Sequence, residues 1–509
     1  MLNAYNTLSF HEKRKCATNM GSFVAVAGKN QTQALDDALT MLRALAHRGK
    51  SSFGIADCRN VAIKKTIQEL YDEDIHSNSL IGYGSSKTLP RDQAQPVKNR
   101  DFCLVFEGRI FPPPSRSECT FVSKDLQHIK QKTAHALYTY HGSFVVGTVD
   151  KTGVQIGRSP IATVPLYFGD NRKVCAAASE RKALRKIGIT DILPFPAGCV
   201  ASLTASGFRF STVKTINQPS VSMDQAGVEA EIVAEDLKKV MLKAAERHFA
   251  DLEEIAIAFS GGLDSSLVSV LAKHCSLKIS LIWVGLEGQP ELNSARQAAN
   301  ALGLPIYTKT YTITDVEKII PHVLWLIEDD NFIDLTIAVP FYWAAAEAAK
   351  LGFKVMATGQ GGDELFAGYY RNLKLVNYSG ADLNRAILEE VTTSLQSNSQ
   401  RDNKTSAFHG VELRNPFIDW EVIHFALNIP FCLKISSPDD PLRKRILRLT
   451  GETLGIPSII TEKPKKAIQY STGVEKAIRK LARIKRKTLA KYLADIQTSM
   501  TTRSIGGLE

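Results

Sequence analysis

Residues 254–266 read "EIAIAFSGGLDSS", and the turn in this stretch decides the fold. A short apolar run ends in Ser-Gly-Gly, followed by one acid, two more hydroxyls and the helix-like "LVSVLAKH" (267–274). A strand passing through a small-residue loop into a helix is the first unit of a parallel sheet, where ligands sit at the carboxyl ends of the strands. Gly261 and Gly262 let backbone N–H groups approach an oxyanion, and Ser260, Ser265 and Ser266 add hydroxyls. The Gly-Lys-Ser/Thr ending of a kinase-type P-loop is missing. Asp264 would repel a bare phosphate, but it fits the loop if it holds Mg2+, which bridges carboxylate and pyrophosphate oxygens. The plainer alternative is a glycine turn with a Ser/Asp helix cap.

Downstream, "ISLIWVGL" (279–286), "LNSARQAANALG" (292–303) and "VMATG" (355–359) continue the alternation of strands and helices. That grammar predicts a doubly wound α/β domain with a parallel sheet and a helical C-terminal part. Upstream, "VEAEIVAEDLKKVMLKAAERH" (228–248) spaces Ile232, Leu237, Val240, Met241 and Ala244 along one helical face. Before about residue 213 the chain changes character. Short strands such as "GSFVAVAG", "DFCLVFEGRIF", "GSFVVGTVD" and "VCAAASE" are separated by Gly, Pro and Asn signals. "NQPSVSMDQAG" (217–227) reads as a linker. The expected order is an extension at 1–19, a strand-rich domain at 20–213, a linker at 214–227, the α/β domain at 228–485 and a basic tail at 486–509.

Composition sets the limits. With 44% apolar residues in 509, a packed core is assured. Lys and Arg exceed Asp and Glu by 63 to 52, which favours polyanions such as ATP. Much of the excess lies in "RKLARIKRKTLAKYL" (479–493), read as a solvated helix face; a nucleic-acid partner is not expected. The 8 Cys residues form no C-x-x-C pair, so neither a zinc site nor a disulfide framework is expected. No window approaches about 18 consecutive apolar residues. The first residues, "MLNAYNTLSFHEKRKC", lack the apolar region of a signal peptide, and a cytoplasmic protein is expected.

"SGGLDSS" (260–266) resembles the loop of the ATP pyrophosphatases, which cleave ATP between the α- and β-phosphates. "IWVGLEGQPELNSARQAANALG" (282–303), "ATGQGGDELFAGYYR" (357–371), "HGVELRNPFIDWEVIHFALNIP" (409–430) and "KPKKAIQY" (463–470) resemble the asparagine synthetase family, from about residue 228 to 485. The resemblance implies ATP and Mg2+, with Thr358 and Gly359 facing the nucleotide opposite the first loop. It implies that Asp363 joins Asp264 as a metal pair, although paired acids can also be helix caps. Phe259 and Val284 would flank the adenine, and Lys465 would neutralise charge as the acyl-phosphate forms and breaks. Lys463 and Lys466 would be solvated neighbours. Gln360 stands where family members carry a Glu that helps form β-aspartyl-AMP; the amide keeps hydrogen bonding and loses general-base chemistry. Asn403 stands where the R-x-D-K pattern has Asp, so the acceptor substrate stays open.

The first half resembles the glutamine amidotransferase domain of the same family, an Ntn-hydrolase-like α+β sandwich of two sheets between helices. The resemblance rests on "LAHRG" (45–49), "IGYGSSK" (81–87), "QAQP" (93–96), "VPLYFG" (164–169) and "SERKAL" (179–184). Such domains release ammonia from glutamine with an N-terminal Cys. Aligning "MGSFVAV" (20–26) places Met20 at that position, and Cys16 upstream has no free α-amine unless the chain is cut. Glu107 replaces the Asn that donates to the oxyanion, Lys50 and Ser51 replace Pro-Asp, and Asp125 is what remains of the turn that grips the substrate amine. Arg48 is kept. These losses imply a domain that kept its fold and lost its glutaminase chemistry.

The expected activity is an AMP-forming amide ligase acting on aspartate with free ammonia. A β-lactam synthetase or macrocyclase type of acceptor is the enzymatic alternative, and a non-catalytic nucleotide-binding scaffold is the alternative of another class. A homodimer and a separate ammonia-supplying protein stay open.

Overall fold

The computed structural model describes residues 21–30, 32–86, 89–204, 206–217, 229–378 and 380–503. Met20, Cys16 and most of the expected linker lie outside the described residues.

The strand Ser22–Gly28 is buried along its whole length because it is covered on both faces. Its odd residues Phe23, Ala25 and Ala27 face Val105, Val145 and Ile156 of a second sheet. Its even residues Val24 and Val26 pack under Leu39 and Leu42 of the helix Leu35–Ala44. This period of two is what a pleated strand imposes. The first sheet has seven antiparallel strands and the second has six. The outer face of the second sheet, with Leu104, Phe106 and Val146, is covered by Val122 and Leu137 of the helices Glu118–Asp125 and Lys132–Thr139. The N-terminal half is thus two sheets between helices.

The second half is built on a five-stranded parallel sheet in the order Ile306–Tyr311, Lys278–Leu286, Glu254–Ala258, Val355–Ala357, Glu412–Arg414. Ile255 and Ile257 pack on one face with Leu237, Met241, Leu267 and Leu271. Ala256, Ile282 and Met356 pack on the other with Ile320, Val339 and Ile478. Ile257 pairs with both Leu281 and Ala357, so the loops that leave the Glu254–Ala258 and Val355–Ala357 strands emerge side by side. That register creates the site.

Two details differ from the sequence reading. In the helix Ala230–Phe249, Leu237, Met241 and Ala244 are buried, but Ile232 in the first turn stays 57% exposed. Periodicity marks a face, not where along the helix its neighbours end. The segment read as a basic tail is helical from Leu489 to Arg503 and buries Tyr492 and Leu493. Just before it, the helix Val474–Ile484 buries Ile478 and Leu481 and turns Lys476, Arg479, Lys480 and Arg483 to solvent. Among the described residues one helix, Phe332–Lys350, is long and apolar enough to cross a membrane, and 61% of it is buried within the protein.

Candidate active site

Two strand-end loops meet on one acid pair. The first runs from Phe259 into the helix Leu263–His274, with Gly261 at φ 69° and packed so closely that a Cβ would lie 2.7 Å from the Ala295 Cα. Only glycine tolerates that backbone conformation and that approach together. Ser260 N–H donates to Ser265 Oγ at 3.3 Å, which folds the loop onto the helix N-terminus. Ser266 Oγ is buried and has no hydrogen-bond partner among the described residues. The second loop, Thr358–Gly362, leans against the first: a Cβ on Gly359 would lie 2.6 Å from Asp264 Cβ, and one on Gly362 2.7 Å from Asp264 Oδ1.

Asp264 and Asp363 are brought together as expected, and a residue the sequence reading missed lies between them. Lys444 Nζ donates to both oxygens of Asp264, at 2.7 and 2.6 Å, and lies 2.6 Å from Asp363 Oδ1. Lys465 Nζ takes the other oxygen of Asp363 at 2.8 Å. Burial would raise the Asp363 carboxyl, but Lys444 and Lys465 outweigh it and hold the group well below the usual carboxylate range. Burial likewise works against the Lys444 ammonium, and Asp264 and Asp363 overcome it and raise its pKa. Lys444 is delivered by a strained turn: Arg443 and Lys444 have φ of 52° and 54°. Each such non-glycine residue costs about 1–2 kcal/mol. Asp440 Oδ1 holds the turn by accepting from Leu442 N–H and Arg443 N–H, both at 2.9 Å. In the sequence Lys444 is one cation within "RKR" among 63, and no pattern separates it.

The remaining expected residues divide. Lys465 also lies 5.1 Å above the Tyr369 ring. Lys466 turns away to pair with Glu291, in keeping with a neighbour's role. Lys463 is half-buried with its Nζ 3.4 Å from the Gly261 carbonyl, so it belongs to the loop and is not a solvated neighbour. Thr358 Oγ1 donates to Asn415 Oδ1 at 2.7 Å, which commits its hydroxyl to the residue that follows the strand Glu412–Arg414. Gln360 Nε2 donates to Glu364 Oε1 at 3.0 Å, and Tyr369 and Asn398 donate to the same oxygen. Gln360 therefore positions Glu364. Phe259 and Val284 are both nearly fully buried and fall in the cores on opposite faces of the sheet.

The family model for asparagine synthase matches residues 236–382 and 376–504. The chain belongs to the asparagine synthase family. A Methanocaldococcus jannaschii protein bearing the name of a glutamine-hydrolysing asparagine synthetase 1 is 27% identical over 91% of this chain and 96% of its own length. The glutamine-hydrolysing asparagine synthetase B of Escherichia coli is 25% identical over 86% of this chain and 79% of its own. Among solved structures, glutamine phosphoribosylpyrophosphate amidotransferase from B. subtilis aligns at 15% identity and a TM-score of 0.34, covering 56% of this chain and 65% of that one. That likeness is too low to carry an argument. As a member of the asparagine synthase family the chain is an enzyme, a carbon–nitrogen ligase.

In this family member Arg48 and Glu107 of the first half line a cavity together with Asn403, Glu412 and Asn415 of the second. Glu107, at the position of the expected oxyanion donor, accepts from Arg48 Nη2 at 3.1 Å and from Ser179 Oγ at 2.7 Å. Arg48 also donates to Glu180 at 3.0 Å and, across to the second half, to Asn403 Oδ1 at 3.0 Å. Asn403 can thus meet an arginine that two carboxylates already balance. Lys50 Nζ lies 5.3 Å over the Phe408 ring, and Ser51 N–H donates to Ser85 O. Asp125 ends the helix Glu118–Asp125, accepts from Tyr140, and is not part of the Arg48 cluster.

Proposed function

We propose that this chain is an ATP-dependent amide ligase that activates the β-carboxylate of aspartate as its acyl-adenylate and transfers the acyl group to ammonia, giving asparagine. In this reaction a carboxylate oxygen attacks the α-phosphorus and pyrophosphate leaves; ammonia then attacks the acyl carbon and AMP leaves. The observation that carries the reading is the convergence of two glycine-rich strand-end loops on Asp264 and Asp363, with Lys465 held on Asp363 at 2.8 Å. Loop N–H groups at the start of the helix Leu263–His274 suit phosphate oxygens. In this reading Lys465 meets the negative charge that develops on the transferring phosphoryl group, where fixed charge lowers the barrier most.

Asp264 and Asp363 are the residues that would hold Mg2+, which when bound neutralises pyrophosphate oxygens. Among the described residues no three His, Cys, Asp or Glu side chains are grouped to cage a metal alone. A pair of carboxylates fits an ion that keeps its waters and takes its remaining ligands from phosphates.

Ammonia is favoured over glutamine as the nitrogen source because Glu107, paired with Arg48, puts a carboxylate where the family resemblance calls for an oxyanion donor. The test supplies ATP, Mg2+ and aspartate with ammonia or glutamine, and follows AMP, pyrophosphate and asparagine. Equal yields of the three products with ammonia, and oxygen-18 passing from aspartate to AMP, are expected. ADP and orthophosphate as products would overturn the reading.

A further inference from the structure

The ammonium of Lys444 fills the space between the two acids. Its Nζ is 2.7 and 2.6 Å from the Asp264 oxygens and 2.6 Å from Asp363 Oδ1, on a side chain only 2% exposed. A magnesium ion on the same carboxylates needs metal–oxygen distances of about 2.0–2.1 Å, so ion and ammonium exclude one another. The backbone that carries Lys444 is pinned. Asp440 holds the turn, Arg443 Nε donates to Gly368 O at 3.0 Å, and Arg448 Nε donates to Arg443 O at 2.8 Å. Only the side chain is left to move. Gly368 is what admits it, because a Cβ there would lie 2.2 Å from Lys444 Cε and 2.0 Å from Asp363 Oδ1.

The charges balance. Asp264 and Asp363 face Lys444 and Lys465, so the cluster is neutral before anything binds. A neutral cluster has no net attraction for a free cation. Pyrophosphate oxygens change this, since they bring negative charge and give a displaced ammonium a new partner.

We propose that Lys444 is the built-in counter-cation of the acid pair, and that divalent metal enters only with the nucleotide, by displacing it. This rests on reading Asp264 and Asp363 as the metal-holding pair. In the empty enzyme the lysine keeps two buried carboxylates from repelling one another and prevents free metal from occupying the site without ATP. On entry of metal and nucleotide the same ammonium, on its fixed backbone, turns to the phosphates.

The test is titration of the full chain with Mn2+ alone, read by electron paramagnetic resonance. Without nucleotide, wild type leaves Mn2+ free. Lys444→Met binds it at least about tenfold more tightly, because removing one ammonium leaves the two carboxylates underbalanced. Adding Asp363→Asn to that variant abolishes the gain. Lys444→Gln, whose amide can still donate to a carboxylate, gives the same result if the methionine variant does not fold. A merely structural lysine would change thermal stability without creating metal affinity. Wild type with a non-hydrolysable ATP analogue is the control and takes up Mn2+. If that control fails, the metal-pair reading falls, and this proposal with it. If the control holds and neither variant gains affinity, the counter-cation role alone is overturned.

Discussion

Arg48 and Glu107 form a buried ion pair at 3.1 Å, in the wall of a cavity lined by residues of both halves. Burial raises the Glu107 carboxyl, and Arg48 pulls against it. Removing one partner strands the other. Arg48→Met is expected to lower stability by about 3–5 kcal/mol, the usual cost of breaking a buried pair. Glu107→Gln in the same chain should recover part of it, because Glu180 keeps His47 and Lys182. Chemical denaturation of the three chains measures this. Neither wild type nor Glu107→Asn should release glutamate from glutamine.

Lys465 and Lys466 are adjacent in sequence and face different partners, Asp363 and Glu291. Lys465→Ala is expected to lower kcat by at least about 100-fold with little change in ATP affinity, since its charge counts most in the transition state. Lys466→Ala should stay near wild type. Single-turnover kinetics with equilibrium ATP binding separates the two effects, and the reverse ranking would move the role one residue along.

Gln360 and Glu364 should behave as one unit, because the glutamine amide donates to Glu364 Oε1 at 3.0 Å. Gln360→Ala and Glu364→Ala should each slow turnover, and the double variant should be less than additive by about 0.5–3 kcal/mol. Strict additivity would mean that Gln360 acts directly on substrate.

Glu412 joins the two halves by pairing with Arg109 on one side and Arg414 on the other. Burial opposes its charge, but the two arginines win and hold its carboxyl down from 4.5 to about 2. Asp251, paired with Arg414 and Arg91, is likewise held at about 2. A carboxylate with a depressed folded value contributes stability that is complete above its unfolded pKa and is lost as pH falls through the folded one. Stability should therefore fall between about pH 4.5 and 2, by roughly 3 kcal/mol for Glu412. Glu412→Gln should flatten that slope in a pH series of urea melts.

Lys434 is fully buried, and among the described residues its ammonium donates only to Ala426 O, a carbonyl that Ile429 N–H also reaches. Burial lowers its pKa from 10.5 to about 7. The unfolded chain thus holds this proton up to higher pH, and wild-type stability should rise from pH 7 towards 10. Lys434→Met should remove that slope and stabilise the protein at pH 7 by about 1 kcal/mol or more, since an unpaired buried charge is lost and volume is kept. Differential scanning calorimetry at the two pH values checks both.

The sequence by itself determined the things that depend on local order. A continuous apolar run within "GSFVAVAG", a strand running into "SGGLDSS", and glycines that admit left-handed or crowded backbone are consequences of neighbours in the chain, so the layers, the parallel sheet and the two loops were legible. Asp264 was legible for the same reason, and Asp363 and Lys465 through the resemblance of their stretches to a known family. Lys444 was not, and neither was the commitment of Arg48 to Glu107. These are pairings between side chains from different elements, up to 180 residues apart in the case of Lys444 and Asp264. A charge carries no sequence label for its partner; which of many lysines neutralises a buried acid is decided only when the fold removes water from both and leaves them each other.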